Sequence, residues 1–221
     1  MSMSIFDILG PVMVGPSSSH TAGAVRIGYA ARQLLKDIPV KAEIGLYGSF
    51  AQTGKGHGTD KAIIAGLLDM HPDDIRIPDS FSIADKNNLK FSFYTASLRD
   101  AHPNTALIDL EGTNGRKLSV QASSLGGGRI MINQIDGIDV NFSAEKPTLI
   151  VHNLDQPGHV AEVTSMLSHK CVNIATMQLY RDKRGGYAVM VLETDQEIPE
   201  ESLKWLEHLE GVIKVTYVNI G

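Results

Sequence analysis

Three short stretches of this chain concentrate side chains that bind anions or move protons. In Gly15-Pro16-Ser17-Ser18-Ser19-His20-Thr21-Ala22-Gly23, three hydroxyls, an imidazole and a fourth hydroxyl stand between a Gly-Pro and a glycine. Such serines and threonines cap a following helix by accepting its orphan N–H groups. The same helix start favours a bound carboxylate or phosphate. A polar cap with a stray histidine and an anion-binding or catalytic loop are both open on these residues alone. The second stretch, Gly48–Asp60 (GSFAQTGKGHGTD), holds four glycines and reads as a loop. It would present His57 at the start of the next helix, where the dipole keeps an imidazole neutral, as a general base requires. Its glycines match neither the dinucleotide fingerprint nor the P-loop, since Lys55 is followed by Gly56, and a nucleotide site is rejected. A flexible loop with an exposed histidine is the alternative. The third stretch is His102-Pro103-Asn104-Thr105, where Pro103 biases His102 toward extended backbone and Asn104 offers both a donor and an acceptor. It reads either as a turn joining two strands or as a third imidazole beside the polar loops. Ser123–Gly128 (SSLGGG) reads as a bend rather than a further anion-binding loop.

The surrounding pattern supplies the elements. Ala24, Val25, Ile27, Gly28, Ala31, Leu34 and Leu35 recur at helical spacing, and Val40–Gly48 alternates as a half-buried strand. A helix carrying Ala62, Ile63, Ile64, Leu67 and Leu68 follows the glycine-rich stretch, and 71–78 reads as an irregular connection. Strands are expected over 88–94, 106–110, 118–122 and 129–132, with an Asn114-Gly115 hairpin turn. A short apolar start, Ser4–Gly10, precedes all of these. The character of the chain changes near Ala144–Pro147, where a domain boundary is placed. Beyond it the order is strand, helix, strand, strand, helix, strand, the ferredoxin-like split βαβ arrangement. The fold class is α/β (α+β): a mixed domain over 1–145, then a βαββαβ domain over 148–221.

Bulk properties narrow the function classes. With 221 residues and 43% hydrophobic content the chain can bury a sizeable core. Its net charge of −5 and lack of a basic stripe argue against nucleic acid. No charged start followed by a long apolar run marks a secretory leader, and no apolar stretch spans a bilayer, so a cytoplasmic protein is expected. Cys171 is the one cysteine, so neither an internal disulfide nor an iron–sulfur cluster can be built from this chain alone. Cys171 reads as a small buried hydrophobe, and Met131, Met166, Met177 and Met190 as core.

The last third, Thr148–Ile220 with Val151-His152-Asn153-Leu154-Asp155-Gln156-Pro157-Gly158, resembles the ACT family of amino-acid-responsive domains. That resemblance implies an effector site lined by Asn153, Asp155, Gln156, Pro157 and Gly158, flanked by His152 and His159. The three polar stretches, in order and followed by this module, resemble the bacterial iron–sulfur L-serine dehydratases, in particular the β chain of the two-chain form. The N-terminal part is also similar to a regulatory domain of some phosphoglycerate dehydrogenases. The resemblance implies conversion of L-serine to pyruvate and ammonia. It places a [4Fe–4S] cluster on a partner α chain and none on this one, with no metal ligand expected here. It implies catalytic roles for His57 as base and His20 beside it, substrate binding by Ser18, Ser19, Thr21, His102 and Asn104, and dimerisation through either domain. His57 and His20 can exchange roles on this reading. A purely regulatory amino-acid-sensing subunit, with all catalysis in the partner, is the competing class. A free-standing amino-acid sensor that needs no partner is a third.

Overall fold

The computed structural model describes residues 12–220, so the apolar start read at Ser4–Gly10 lies outside the described residues. The chain divides between Gly137 and Ile138 into two compact units. In the first, a π-helical turn, Ser18–Gly23, runs without a break into α1 (Ala24–Leu35). Then follow β1 (Pro39–Gly48), α2 (Ser49–His57), α3 (Thr59–Leu67), α4 (Ser80–Lys86), β2 (Lys90–Thr95), β3 (Asn104–Gly112), β4 (Lys117–Gly126) and β5 (Arg129–Ile135). These strands lie in the order β2-β1-β3-β4-β5. Only β1 and β2 are parallel, joined through the three helices between them, and the remaining neighbours are antiparallel.

The apolar stripe read from the sequence is the buried face of α1: Ala24, Val25, Ile27, Gly28, Ala31, Leu34 and Leu35 are all buried. On the opposite side of the sheet Lys41, Glu43, Lys90 and Ser92 are exposed, as period-two strands with one wet face require. α1 and α3 touch at the level of the main chain. A Cβ on Gly28 would lie 2.1 Å from the Ile63 carbonyl oxygen, and one on Gly66 would lie 2.0 Å from that of Val25. Glycine is therefore required at both positions, because no side-chain atom fits between the two backbones.

The second unit opens with β6 (Ile138–Phe142), a strand that packs on β8 and β9 and that sequence patterning did not identify. Next come β7 (Thr148–Leu154), α5 (His159–His169), β8 (Ile174–Arg181), β9 (Tyr187–Thr194), α6 (Glu200–Glu207) and β10 (Val212–Val218). The antiparallel sheet runs β10-β7-β9-β8, the order of the split βαβ arrangement. Its core joins Leu149, Val151, Met190 and Leu192 of the sheet to Val163, Met166 and Leu167 of α5 and Leu206 of α6. Pro199 is the N-cap of α6, and Pro157 lies immediately before the Gly158 N-cap of α5.

Cys171 departs from its expected burial. It is exposed and has a φ of 56°. Cys171 N–H donates to the Ser168 carbonyl and Val172 N–H to that of Leu167, a Schellman closure of α5. This turn hands the inward position to Val172, which is 7% exposed. Met177 is also exposed, on β8, whereas Met166 and Met190 are core residues as expected.

Candidate active site

The site is built where the start of α1 meets α2. Ser17 caps the π-helical turn, its Oγ accepting from the His20 main-chain N–H at 3.1 Å. A wide helical turn at a helix entrance is a common mark of functional positions. It carries Ser18, Ser19 and His20, all half-buried, and Thr21, which is 3% exposed. Thr21 Oγ1 has no hydrogen-bond partner and sits against Gly15.

The glycine-rich stretch proves to be helical rather than a loop. α2 runs from Ser49 to His57, and only Gly58 beyond it is left-handed. Gly54 is buried inside the helix and Gly56 is exposed on it. His57 is consequently the last residue of α2, separated from α3 by Gly58 alone, and not simply the start of a helix. The helical spacing i, i+4, i+8 places Ser49, Thr53 and His57 on one face.

That face meets His20. His20 Nε2 lies 3.1 Å from Ser49 Oγ and 3.0 Å from Thr53 Oγ1, and Thr53 donates its hydroxyl proton to the Ser49 carbonyl at 2.8 Å. Thr53 therefore accepts from His20, which assigns the ring proton to Nε2 by hydrogen-bond counting. Nδ1 is left as the acceptor and faces Ser17 Oγ at 3.4 Å. Burial first, and the charge of His57 second, lower the His20 pKa below its ordinary value, while a backbone hydrogen bond at Ser49 opposes them. The Phe50 ring meets the edge of His20 at a centroid distance of 5.3 Å. His57 stacks obliquely on the other side at 5.1 Å. The His57 ring is exposed and makes no side-chain hydrogen bond among the described residues.

The third polar stretch reaches the same corner. Gly48 pairs across β1 and β3 with Asn104, and a Cβ on Gly48 would lie 2.6 Å from the Pro103 carbonyl oxygen. With a φ of 57°, Gly48 lets α2 begin directly against this turn, and Phe50 N–H donates to the Pro103 carbonyl at 3.4 Å. His102 is exposed, and its Nδ1 accepts from the Asn104 main-chain N–H at 3.1 Å. Ser123 and Ser124, read as part of a bend, belong to β4 and are buried.

The structure thus brings His20 and His57 together at α2, and sets the His102–Asn104 turn against the start of the same helix through Gly48 and Phe50. Ser17, Ser49 and Thr53, which sequence reasoning left out, are the groups that hold His20. The signal was available: Ser49, Thr53 and His57 fall at helical spacing once the glycines are allowed inside a helix. Among the described residues no group of three His, Cys, Asp or Glu side chains is arranged to hold a metal ion. Among the described residues no helix is long and apolar enough to cross a membrane.

In the second unit Asn153 is 3% exposed, donates from Nδ2 to the Leu154 carbonyl, and leaves Oδ1 without a partner. Asp155 accepts from Gly185 N–H at 2.9 Å and Arg181 Nη1 at 3.1 Å, and these, led by the Gly185 bond, hold its carboxyl below the usual range. Gln156, Pro157 and Gly158 are exposed. His159, read as flanking the effector loop, is 6% exposed, and neither ring nitrogen has a hydrogen-bond partner. His169 and His208 each face a main-chain carbonyl oxygen of their own helix, Ser165 and Lys204. A groove of about 670 Å³ lies between α5 and α6, lined by Ser165, Met166, His169, Lys170 and Trp205 among others, without a catalytic grouping.

Comparison with known proteins gives a consistent result. The family pattern described as serine dehydratase beta chain matches residues 4–89. The chain is 41% identical to the probable L-serine dehydratase, beta chain, of Bacillus subtilis (strain 168), covering 97% of each chain. It is 37% identical to the L-serine dehydratase, beta chain, of Peptoniphilus asaccharolyticus over 98% of each. A shorter match, 46% identical over 34% of this chain and 17% of the relative, is to L-serine dehydratase 2 of Escherichia coli (strain K12).

Proposed function

The chain belongs to the family of L-serine dehydratase β chains, and from that premise we propose that it supplies acid–base and substrate-binding groups to an active site completed by an α chain. The reaction removes the α-proton and the β-hydroxyl of L-serine as water, and the resulting enamine tautomerises to an imine that water hydrolyses to pyruvate and ammonia. The observation that carries this reading is the asymmetry of the His20–His57 pair. One ring has its nitrogens faced by Ser17, Ser49 and Thr53, while its neighbour is exposed.

His57 is the base that takes the proton from the serine α-carbon. His20, whose burial disfavours its charged form, lies beside it as a ring held by hydroxyls. His102 and Asn104 hold the carboxylate or amine, and Ser18, Ser19 and Thr21 line the approach. A [4Fe–4S] cluster belongs to this reading on the α chain only. One cysteine, exposed in the second unit, does not fit the thiolate set such a cluster needs. No step here is routed through it.

Residues 1–145 then form the serine dehydratase β domain and 148–221 an ACT-type effector domain. The unpartnered Oδ1 of Asn153, at the loop continuing through Asp155, Gln156, Pro157 and Gly158, supports effector binding there. The chain alone is inactive, the complex is cytoplasmic, and copies pair through one of the two domains. The test is His57→Ala in the reconstituted α–β complex. Loss of kcat with L-serine is expected, whereas near-normal kcat with altered regulation would assign catalysis to the partner.

A further inference from the structure

A line of buried hydroxyls runs from the His102–Asn104 turn into the sheet. Thr105 Oγ1 donates to the His102 carbonyl oxygen at 2.6 Å, lies 2.8 Å from Ser123 Oγ, and Ser123 Oγ lies 2.7 Å from Asn133 Oδ1. Thr105 is fully buried and Ser123 is 2% exposed. These two residues are directly opposite in the β3–β4 register, so their side chains share one face. Asn133 enters differently. Gln134 pairs with Gln121 and Ile132 with Ala122, so Asn133 is the extra residue of a bulge on β5. Bulges beside active sites re-aim a side chain, and this one turns the Asn133 amide onto Ser123.

Counting protons fixes the direction of the line. Three contacts end on two oxygens that cannot donate, the His102 carbonyl and Asn133 Oδ1, yet only two hydroxyl protons are present. One contact would face oxygen to oxygen with no proton between them. The two ends of a carboxamide have the same shape, and exchanging them provides the third proton. Asn133 Nδ2 then donates to Ser123 Oγ, Ser123 to Thr105 Oγ1, and Thr105 to the His102 carbonyl. Every donor points the same way, an arrangement whose members polarise one another.

We infer that Asn133 is a positioning residue: through Ser123 and Thr105 it holds the His102 carbonyl and so the turn that presents His102 and Asn104 to serine. The same turn receives the Phe50 N–H through the Pro103 carbonyl, so its placement is shared with the helix carrying His57. Asn133 itself touches no reacting atom. This inference rests on the reading that the turn binds substrate, and it concerns ground-state binding rather than proton transfer.

The experiment uses the reconstituted α–β holoenzyme with L-serine. Asn133→Asp keeps the shape and removes the donor; Thr105→Val keeps the shape and removes the relay. Each is expected to raise KM about 10-fold with kcat changed less than about 3-fold, since binding is what the turn supplies. Because both act on one line, the double variant should cost about as much as either single change, whereas two unrelated packing defects would multiply. Thr105→Ser restores the hydroxyl and should return KM to within about 2-fold of the parent. If Asn133→Asp does not assemble with the α chain, the Thr105→Val and Thr105→Ser pair decides the question. Unchanged KM in Thr105→Val, multiplying effects, or failure of Thr105→Ser to rescue would overturn the inference. If His57→Ala lowers kcat while these variants bind serine normally, only the positioning role falls. Normal kcat in His57→Ala would instead remove the catalytic reading beneath it.

Discussion

His20 and His57 lie with their ring centroids 5.1 Å apart and their planes tilted by 47°, one ring enclosed by hydroxyls and the other exposed. Two imidazoles this close resist being protonated together, because the second charge is added beside the first. Burial first and the neighbouring charge second lower the pKa of the enclosed ring.

Removing the exposed ring tests the assignment of base. His57→Gln in the α–β complex should lower kcat by about 10² to 10⁴, the usual cost of a positioned general base. Steady-state pyruvate formation measures it.

Removing the neighbour's charge tests the coupling. In His57→Ala, the His20 ring should titrate closer to its ordinary value of 6.5, yet still below it, because burial is the larger cause and remains. NMR titration of the imidazole protons on the full chain reads this directly. A His20 pKa unchanged by the substitution would mean that the two rings do not interact.

The same lowered pKa has a consequence for folding. The folded state resists protonation of His20, so below 6.5 the unfolded chain binds more protons than the folded one. The His20 contribution is therefore complete above that pH and declines as pH falls to the lowered folded value. Denaturant midpoints should drop from pH 7 toward pH 5.5, and His20→Asn should flatten the slope.

Thr53 holds the proton-bearing nitrogen of His20. Thr53→Val should lower kcat/KM about 10-fold, corresponding to about 1.4 kcal/mol, while Thr53→Ser should stay within about 3-fold. Equal losses in both would point to packing of the methyl group instead.

Packing of the two main helices has its own test. Gly28→Ala and Gly66→Ala each force a methyl group into a carbonyl about 2 Å away. Each should destabilise the fold by about 3 kcal/mol or more, measured by thermal or chemical denaturation.

Much of this was legible in the residues, and the exceptions have physical causes. The stripe of α1 and the βαββαβ order follow from periodicity, which the structure keeps. The stretch 48–60 misled because glycine disfavours helix, yet Gly54 and Gly56 both lie inside α2, Gly54 buried and Gly56 exposed. Reading it as a loop hid the Ser49–Thr53–His57 face and missed that His57 closes α2 as well as preceding α3. Cys171 misled because a chain reversal, invisible in hydrophobic pattern, gave its inward position to Val172. The role of Asn133 depends on a bulge, and a single unpaired residue leaves no trace in alternation.

The glycine contact between α1 and α3 reaches further than stability. His20 lies in the turn that leads into the first of these helices and His57 is joined to the second through Gly58 alone, so both rings are tethered to rods riveted at a single crossing. Mutational drift along the outer faces of the rods leaves the gap between the rings unaltered. A slackened rivet would misalign both imidazoles at once, and the defect would look like a double active-site lesion although neither histidine had changed.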